Sequence, residues 1–280
     1  MTRRQAMTAA AALVAAGTEG AMQTPPGQTG RLKQSVCRWP FAKIPLPEFC
    51  RAVADLGLTA IDLLTEAEWP VAREYGLTCS MGSGAGGTIV DGLNVKANHD
   101  GIVRGLEAAI PRAAAQKVPN LITFFGNRRG MPDEEAVGNC VEALNRVKKV
   151  AEDHGVTICI ELLNSKVNHP DYQGDHTDFG VRVVKAVASP RVKLLYDIYH
   201  MQIMEGDLIR TIQDNREHIA HYHTGGVPGR HELDETQEIQ WRTVAKAIAD
   251  MGFQGYFAHE FIPTRDPVAS LREAVALCSV

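Results

Sequence analysis

The 280-residue sequence lacks most of the features that would place it outside ordinary small-molecule chemistry. It has no long hydrophobic run; the longest weakly apolar stretch, residues 9–16, is too short to span a bilayer, so stable membrane insertion is not expected. No block of basic residues occurs, and 29 Lys and Arg against 33 Asp and Glu give a net charge of -4, so nothing marks a nucleic-acid surface. Six cysteines are too few to frame a disulfide scaffold; Cys37, Cys159 and Cys278 read as small buried residues. No G-x-G-x-x-G follows the first strand, which disfavours a dinucleotide site, and the glycine cluster at 82–87 lacks the Lys-Ser/Thr of a phosphate loop and reads as a flexible loop. No Ser-His-Asp or Cys-His set can be placed.

What is present is an alternation. Short apolar runs at 35–39, 60–64, 78–82, 120–126, 156–163, 192–199, 219–224 and 255–261 read as strands. Amphipathic segments at 47–56, 99–116, 133–154, 177–188, 207–218, 240–251 and 267–277 read as helices, with a short, weak one near 66–75. Pro132 and the acids Asp133, Glu134 and Glu135 mark a helix start, and Gly57, Gly76, Gly155 and Gly252 mark helix ends. Eight strand–helix pairs in about 250 residues predict an α/β fold, a single (β/α)8 TIM barrel. Residues 31–280 form that barrel domain. Residues 1–30 stand apart, with Arg3-Arg4, an Ala-rich run and a Pro/Gly/Gln segment in the order of a twin-arginine export signal and linker. A working signal would make the protein periplasmic or exported; otherwise it is cytoplasmic.

Strand alternation selects the candidate site. In 156–163, Val156, Ile158, Ile160 and Leu162 share the face that suits helix packing, which turns Thr157, Cys159, Glu161 and Leu163 toward the axis. The same rule turns Asp197 inward, puts His221 and His223 on one face, and sets Glu260 with Tyr256 and Ala258. Four late strands thus each carry a metal-competent side chain near the C-terminal end: Glu161, Asp197, His223 and Glu260. Buried carboxylates without partners are costly, and three of them with an imidazole call for a divalent cation. Oxygen-rich ligation with one nitrogen suits Mn2+ or Mg2+ best, and Co2+ or Zn2+ also fit. His221 lies one layer deeper. Arg38 and Trp39 are candidates for a pocket wall or a cap on the mouth, and Asn98 and His99 for helix entry or substrate contact.

The stretches Glu161-Leu162-Leu163-Asn164 and Tyr196-Asp197-Ile198-Tyr199-His200 resemble the metal core of xylose isomerase-like TIM barrels. Ala220-His221-Tyr222-His223, the Val227-Pro228-Gly229-Arg230-His231-Glu232 loop, Met204-Glu205-Gly206-Asp207-Leu208 and Ala258-His259-Glu260-Phe261 are similar to the hydroxypyruvate isomerase branch. The resemblance implies a metal held by Glu161, Asp197, His223 and Glu260, an acid/base pair of Glu161 and Glu260, and substrate contacts from His200 and Arg230. It implies a small hydroxy-carbonyl acid or a sugar as substrate, hydroxypyruvate with tartronate semialdehyde first. Ketose 3-epimerases share the core, which keeps sugar isomerisation, epimerisation or lyase chemistry open as the alternative, and related barrels often form homo-oligomers. A salt bridge to Glu232 or Asp234 is the bland role for Arg230, and a barrel that kept the fold without the chemistry is the non-enzyme reading.

Overall fold

The computed structural model describes residues 30–280. The export-type segment expected at 1–30 lies outside the described residues, Gly30 apart. Eight parallel strands close into a barrel in sequential order: β1 (Lys33–Cys37), β2 (Ala60–Leu64), β3 (Thr78–Gly86), β4 (Asn120–Phe124), β5 (Thr157–Glu161), β6 (Val192–Asp197), β7 (Ile219–Thr224) and β8 (Tyr256–His259). The helices are α1 (Leu46–Asp55), α2 (Trp69–Glu74), α3 (His99–Ala115), α4 (Asp133–His154), α5 (Thr177–Val187), α6 (Ile198–Met204), α7 (Leu208–Asn215), α8 (Trp241–Asp250) and α9 (Pro267–Cys278). The expected single (β/α)8 barrel is the observed fold. Among the described residues no helix is long and apolar enough to cross a membrane.

Helix α4 shows how the sequence builds the outer layer. Its first turn carries Asp133, Glu134 and Glu135 against the helix dipole, and it ends on Gly155, whose φ of 70° is left-handed. Ala136, Cys140, Ala143, Leu144, Val147 and Ala151 recur every three or four residues and form the buried stripe. Strand faces follow the expected alternation. Val156, Ile158 and Ile160 join the core between barrel and helices, whereas Cys159 packs inside the barrel with Met81, Ile122 and Leu195.

Two expectations need correction. The glycine cluster is not a flexible loop, because β3 runs on through Gly86. A Cβ on Gly82 would meet the Trp69 and Leu121 side chains at 2.8 and 2.7 Å, and one on Gly86 would meet the Ile122 carbonyl oxygen at 2.5 Å. These glycines serve close approach between neighbouring segments. The segment 198–204, whose first two residues read as strand in the sequence, is α6; Asp197 ends β6 and caps that helix by accepting from the His200 amide at 3.1 Å.

Buried Glu232 ties the loop after β7 to the loop after β8. It accepts from the Thr264 amide at 2.8 Å, the Thr264 hydroxyl at 2.9 Å and the Ser270 hydroxyl at 3.0 Å. Burial alone would raise its carboxyl, but these donors outweigh it and hold the group below the usual glutamate range. A depressed carboxyl stabilises the fold above the unfolded-state value of about 4.3 and loses that contribution as pH falls through the lower folded value. Glu232→Gln should therefore cost about 1.5–3 kcal/mol at pH 7. Urea unfolding should show that cost shrinking below about pH 4; a cost independent of pH would contradict the assignment.

Candidate metal centre and active site

The C-terminal ends of β5 to β8 deliver the four expected side chains to one point. Glu161 closes β5, Asp197 closes β6, His223 is the penultimate residue of β7, and Glu260 follows β8. In the ladder Asp197 pairs with His223. The Glu260 amide donates to the Thr224 carbonyl at 3.0 Å, which carries the register past the end of β8. One ligand atom from each of the four side chains lies within 4.8 Å of the others, and all four residues are buried. His223 Nδ1 is 2.6 Å from Glu260 Oε2, 3.1 Å from Glu161 Oε1 and 4.0 Å from Asp197 Oδ2. Three carboxylates and one imidazole nitrogen, dry and convergent, fit a divalent cation.

The protein's own charges act on this set unequally. Burial pushes the Glu161 carboxyl up to about 7, with the charges of Glu260 and Asp197 adding to it against the hydrogen bond from His223. Burial also acts to raise Glu260, but Arg230 and His223 outweigh it and bring that carboxyl down to about 2. Burial opposes a charge on His223; Glu260 and Asp62 more than offset it, so the imidazole holds its proton above the usual range.

Arg230 is the second centre of the site. Its backbone sits at a left-handed φ of 60° in the loop after β7. The Arg230 amide donates to the Gly226 carbonyl at 2.8 Å, and any Cβ on Gly226 would strike the Glu232 carbonyl oxygen. The guanidinium is buried rather than paired with Glu232 or Asp234. Its Nη2 donates to Asp197 Oδ2 at 2.6 Å and to Glu260 Oε2, and its Nε donates to the Glu260 carbonyl at 3.0 Å. Tyr199 and Trp39 present ring faces to it at 4.9 and 5.8 Å.

His200, on α6, completes the floor. The Asn164 amide donates to its Nδ1 at 3.1 Å, and Asn164 Nδ2 lies 2.6 Å from the same atom. Burial, then the nearby Arg230, pushes the His200 imidazole well below its ordinary value, so it is neutral. With Nδ1 accepting, its single proton sits on Nε2. That atom lies 2.6 Å from Arg230 Nη1, another donor. Both residues line the cavity, where a substrate oxygen could meet them from above but not between atoms this close.

The cavity above these groups measures about 290 Å³ and is lined by Trp39, Ile89, Leu163, Asn168, His169 and Ile262 besides the polar set. Trp39 is 45% exposed and does more than wall the mouth: its indole Nε1 donates to Glu260 Oε1 at 2.5 Å. Arg38 does not line the cavity; its guanidinium donates to the Phe41 and Ile44 carbonyls at 2.6 and 2.8 Å and holds the turn before α1. His99 is also structural, with Nε2 2.9 Å from the Leu93 carbonyl. Asn168 and His169 escaped the sequence reading because they lie in a long loop where neither strand nor helix periodicity applies. Tyr172 fixes that loop by donating to the Glu161 carbonyl at 2.9 Å.

A closed eight-stranded barrel with a carboxylate-rich cluster at its C-terminal mouth places the chain among TIM barrels, whose active sites sit at that face. Residues 11–278 match the xylose isomerase-like TIM barrel family, and the chain belongs to it. It is similar to the 2-oxo-tetronate isomerase of Pectobacterium atrosepticum, with 27% identity over 234 residues, 80% of this chain and 88% of that relative. It is also similar to a hydroxypyruvate isomerase-like protein of Homo sapiens, 27% identical over 238 residues, 83% of this chain and 80% of that relative. The crystal structure of a family 2 AP endonuclease from Brucella melitensis shares the fold, with a TM-score of 0.77 at 23% identity, covering 86% of this chain and 97% of that one.

Cation loading must displace the protons that His223 and Glu161 retain. Calorimetric titration of the metal-free protein with Mn2+ at pH 6 should give heats that depend on the buffer's ionisation enthalpy, and less so at pH 8. Heats identical in all buffers at pH 6 would contradict the protonation pattern.

Proposed function

We propose that this chain is a metal-dependent isomerase that interconverts hydroxypyruvate and tartronate semialdehyde through an enediolate. The observation that carries this reading is the pair Glu161 and Glu260. Two carboxyls from the ends of different strands line one cavity beside the four-ligand cluster, where they can flank a substrate as an acid/base pair. The names of the two relatives support an isomerase.

A divalent ion held by Glu161, Asp197, His223 and Glu260 (Mn2+ or Mg2+ by donor type, Co2+ or Zn2+ also fitting) would supply Lewis-acid polarisation of the substrate carbonyl. The protein's part is proton transfer and positioning. One carboxylate of the pair takes a proton from the carbon beside the carbonyl, and the C–H electron pair becomes the C=C bond of the enediolate. A proton returned to the adjacent carbon, with the hydroxyl proton shifting between oxygens, completes the exchange. Reactant and product are isomers, so no redox partner is required. His200 and Arg230 both line the cavity and offer donors to an enediolate or carboxylate oxygen there. The Trp39 indole engages Glu260 Oε1 and so limits how that carboxylate can turn.

A second reading, a sugar isomerase, 3-epimerase or lyase acting on keto-sugars, is favoured by the exposed Trp39 ring and the apolar Ile89 and Ile262 on the cavity wall, which suit a sugar face. We also propose export through the twin-arginine-like segment. Fractionation should find the chain in the periplasm; full-length protein confined to the cytosol would contradict this.

In D2O, Mn2+-loaded protein should place deuterium on hydroxypyruvate carbon with tartronate semialdehyde appearing, followed by NMR. Glu161→Gln and Glu260→Gln should each lower that rate by about 10²–10⁴-fold. Labelling confined to ketoses would transfer the chemistry to the second reading. Full activity in either variant would remove the acid/base assignment.

A further inference from the structure

Beneath the cation site lies a second polar layer that the proposed chemistry does not use. Cys37 of β1, Asp62 of β2, Ser80 of β3 and His221 of β7 meet on the barrel axis, each fully buried. Barrel interiors at this depth are ordinarily filled by branched apolar side chains. Asp62 is the hub. Its Oδ2 accepts from His223 Nε2 at 2.8 Å and from His221 Nε2 at 3.2 Å, and its Oδ1 accepts from the Ser80 hydroxyl at 2.5 Å. The Cys37 thiol stands 3.6 Å from Oδ2. Asp62 lines no part of the substrate cavity.

The backbone of β2 departs from regularity at this residue. The pairing with β3 shifts register on both sides of Asp62, and Leu63 takes a left-handed φ of 57°. Asp62 and Leu63 consequently both face the axis, Leu63 against the inner apolar cluster. A bulky residue in that conformation is a backbone cost, and bulges of this kind re-aim side chains near active sites. Cys37, Asp62 and His223 also offer ligand atoms within 4.8 Å of one another, but His223 has only two ring nitrogens, and with Nδ1 facing the three carboxylates its Nε2 is left for Asp62.

We propose that Asp62 is a positioning residue: it accepts a hydrogen bond from the Nε2–H of His223 and so fixes the ring and tautomer that turn the Nδ1 lone pair toward the cation held with Glu161, Asp197 and Glu260. The inference rests on the cation reading above. Rotating the ring by half a turn would set carbon atoms against both Asp62 and the three carboxylates, so one acceptor settles orientation and tautomer together. Ser80 and His221 occupy two further lone pairs of Asp62 and hold its carboxylate in turn. His221 Nδ1 has no hydrogen-bond partner. That is consistent with its proton residing on Nε2, facing Asp62, since an unpaired lone pair costs less than an unpaired N–H.

The test uses the full chain and Zn2+, a diamagnetic probe. Asp62→Asn should weaken Zn2+ binding by about 10–100-fold in chelator competition, a loss compared at a temperature where urea unfolding shows the metal-free variant fully folded. Ser80→Ala, which leaves the acceptor for His223 in place, should change affinity less than about threefold. Unchanged affinity in Asp62→Asn, or an equal loss in Ser80→Ala, would overturn the assignment in favour of simple packing. Independently of any variant, 15N NMR of the Zn2+-loaded parent should show His223 protonated at Nε2 and ligating through Nδ1; the reverse pattern would overturn it. A parent chain that binds no Zn2+ would overturn the cation reading itself, and this inference with it.

Discussion

Three carboxylates share one buried point, and the rest of the barrel mouth answers their charge. Glu161, Asp197 and Glu260 are each nearly or fully inaccessible to solvent. Isolated carboxylates in such surroundings would take up protons or unfold the site. His223 and Arg230 are the protein's own partial answer: an imidazole among the three acids and a guanidinium on two of them. On the cation reading proposed above, a divalent ion among the four ligands would complete the balance, and its charge would also polarise a carbonyl, so one ion would meet the demand for stability and the demand for chemistry.

The fold meets this constraint by division of labour. Parallel strands bring the four candidate ligands to the mouth through register, and the loops that follow them supply groups that line the cavity. Asp197 does both, since one of its oxygens caps α6 while the other meets Arg230, and the cap places His200 one turn away. Conformational cost is concentrated in the same places. Arg230 and Leu63, both left-handed, stand beside the substrate floor and the buried carboxylate hub. Backbone strain of this kind persists where surrounding contacts over-determine it.

The four-ligand set was legible because strand alternation is a local rule, and each ligand sits at the end of a strand whose apolar face is unmistakable. The resemblance to xylose isomerase-like barrels added His200 and Arg230, which periodicity alone does not single out. Asp62 was not legible. A lone aspartate in Ala-Ile-Asp-Leu-Leu reads as a strand residue, and only the bulge and the barrel closure bring it under His223. The Trp39–Glu260 contact was hidden for the same reason, since β1 and β8 meet only on closure. The glycines of β3 misled because a cluster of glycines suggests flexibility in sequence, whereas here they allow neighbouring segments to pass within contact distance. Helix α6 was missed because Ile198 and Tyr199 extend the β-rich run of β6, and the capping role of Asp197 is visible only when its side chain is placed.

The central claim is that the four convergent side chains are a cation site. Anomalous diffraction from crystals grown with Mn2+ tests it most directly. The account predicts one strong peak per chain, coordinated by Glu161, Asp197, His223 and Glu260, with Arg230 turned away from at least one of the two carboxylates it now holds. A site without a peak at saturating Mn2+, with Arg230 still bridging Asp197 and Glu260, would show that the guanidinium alone balances the cluster and would contradict the account.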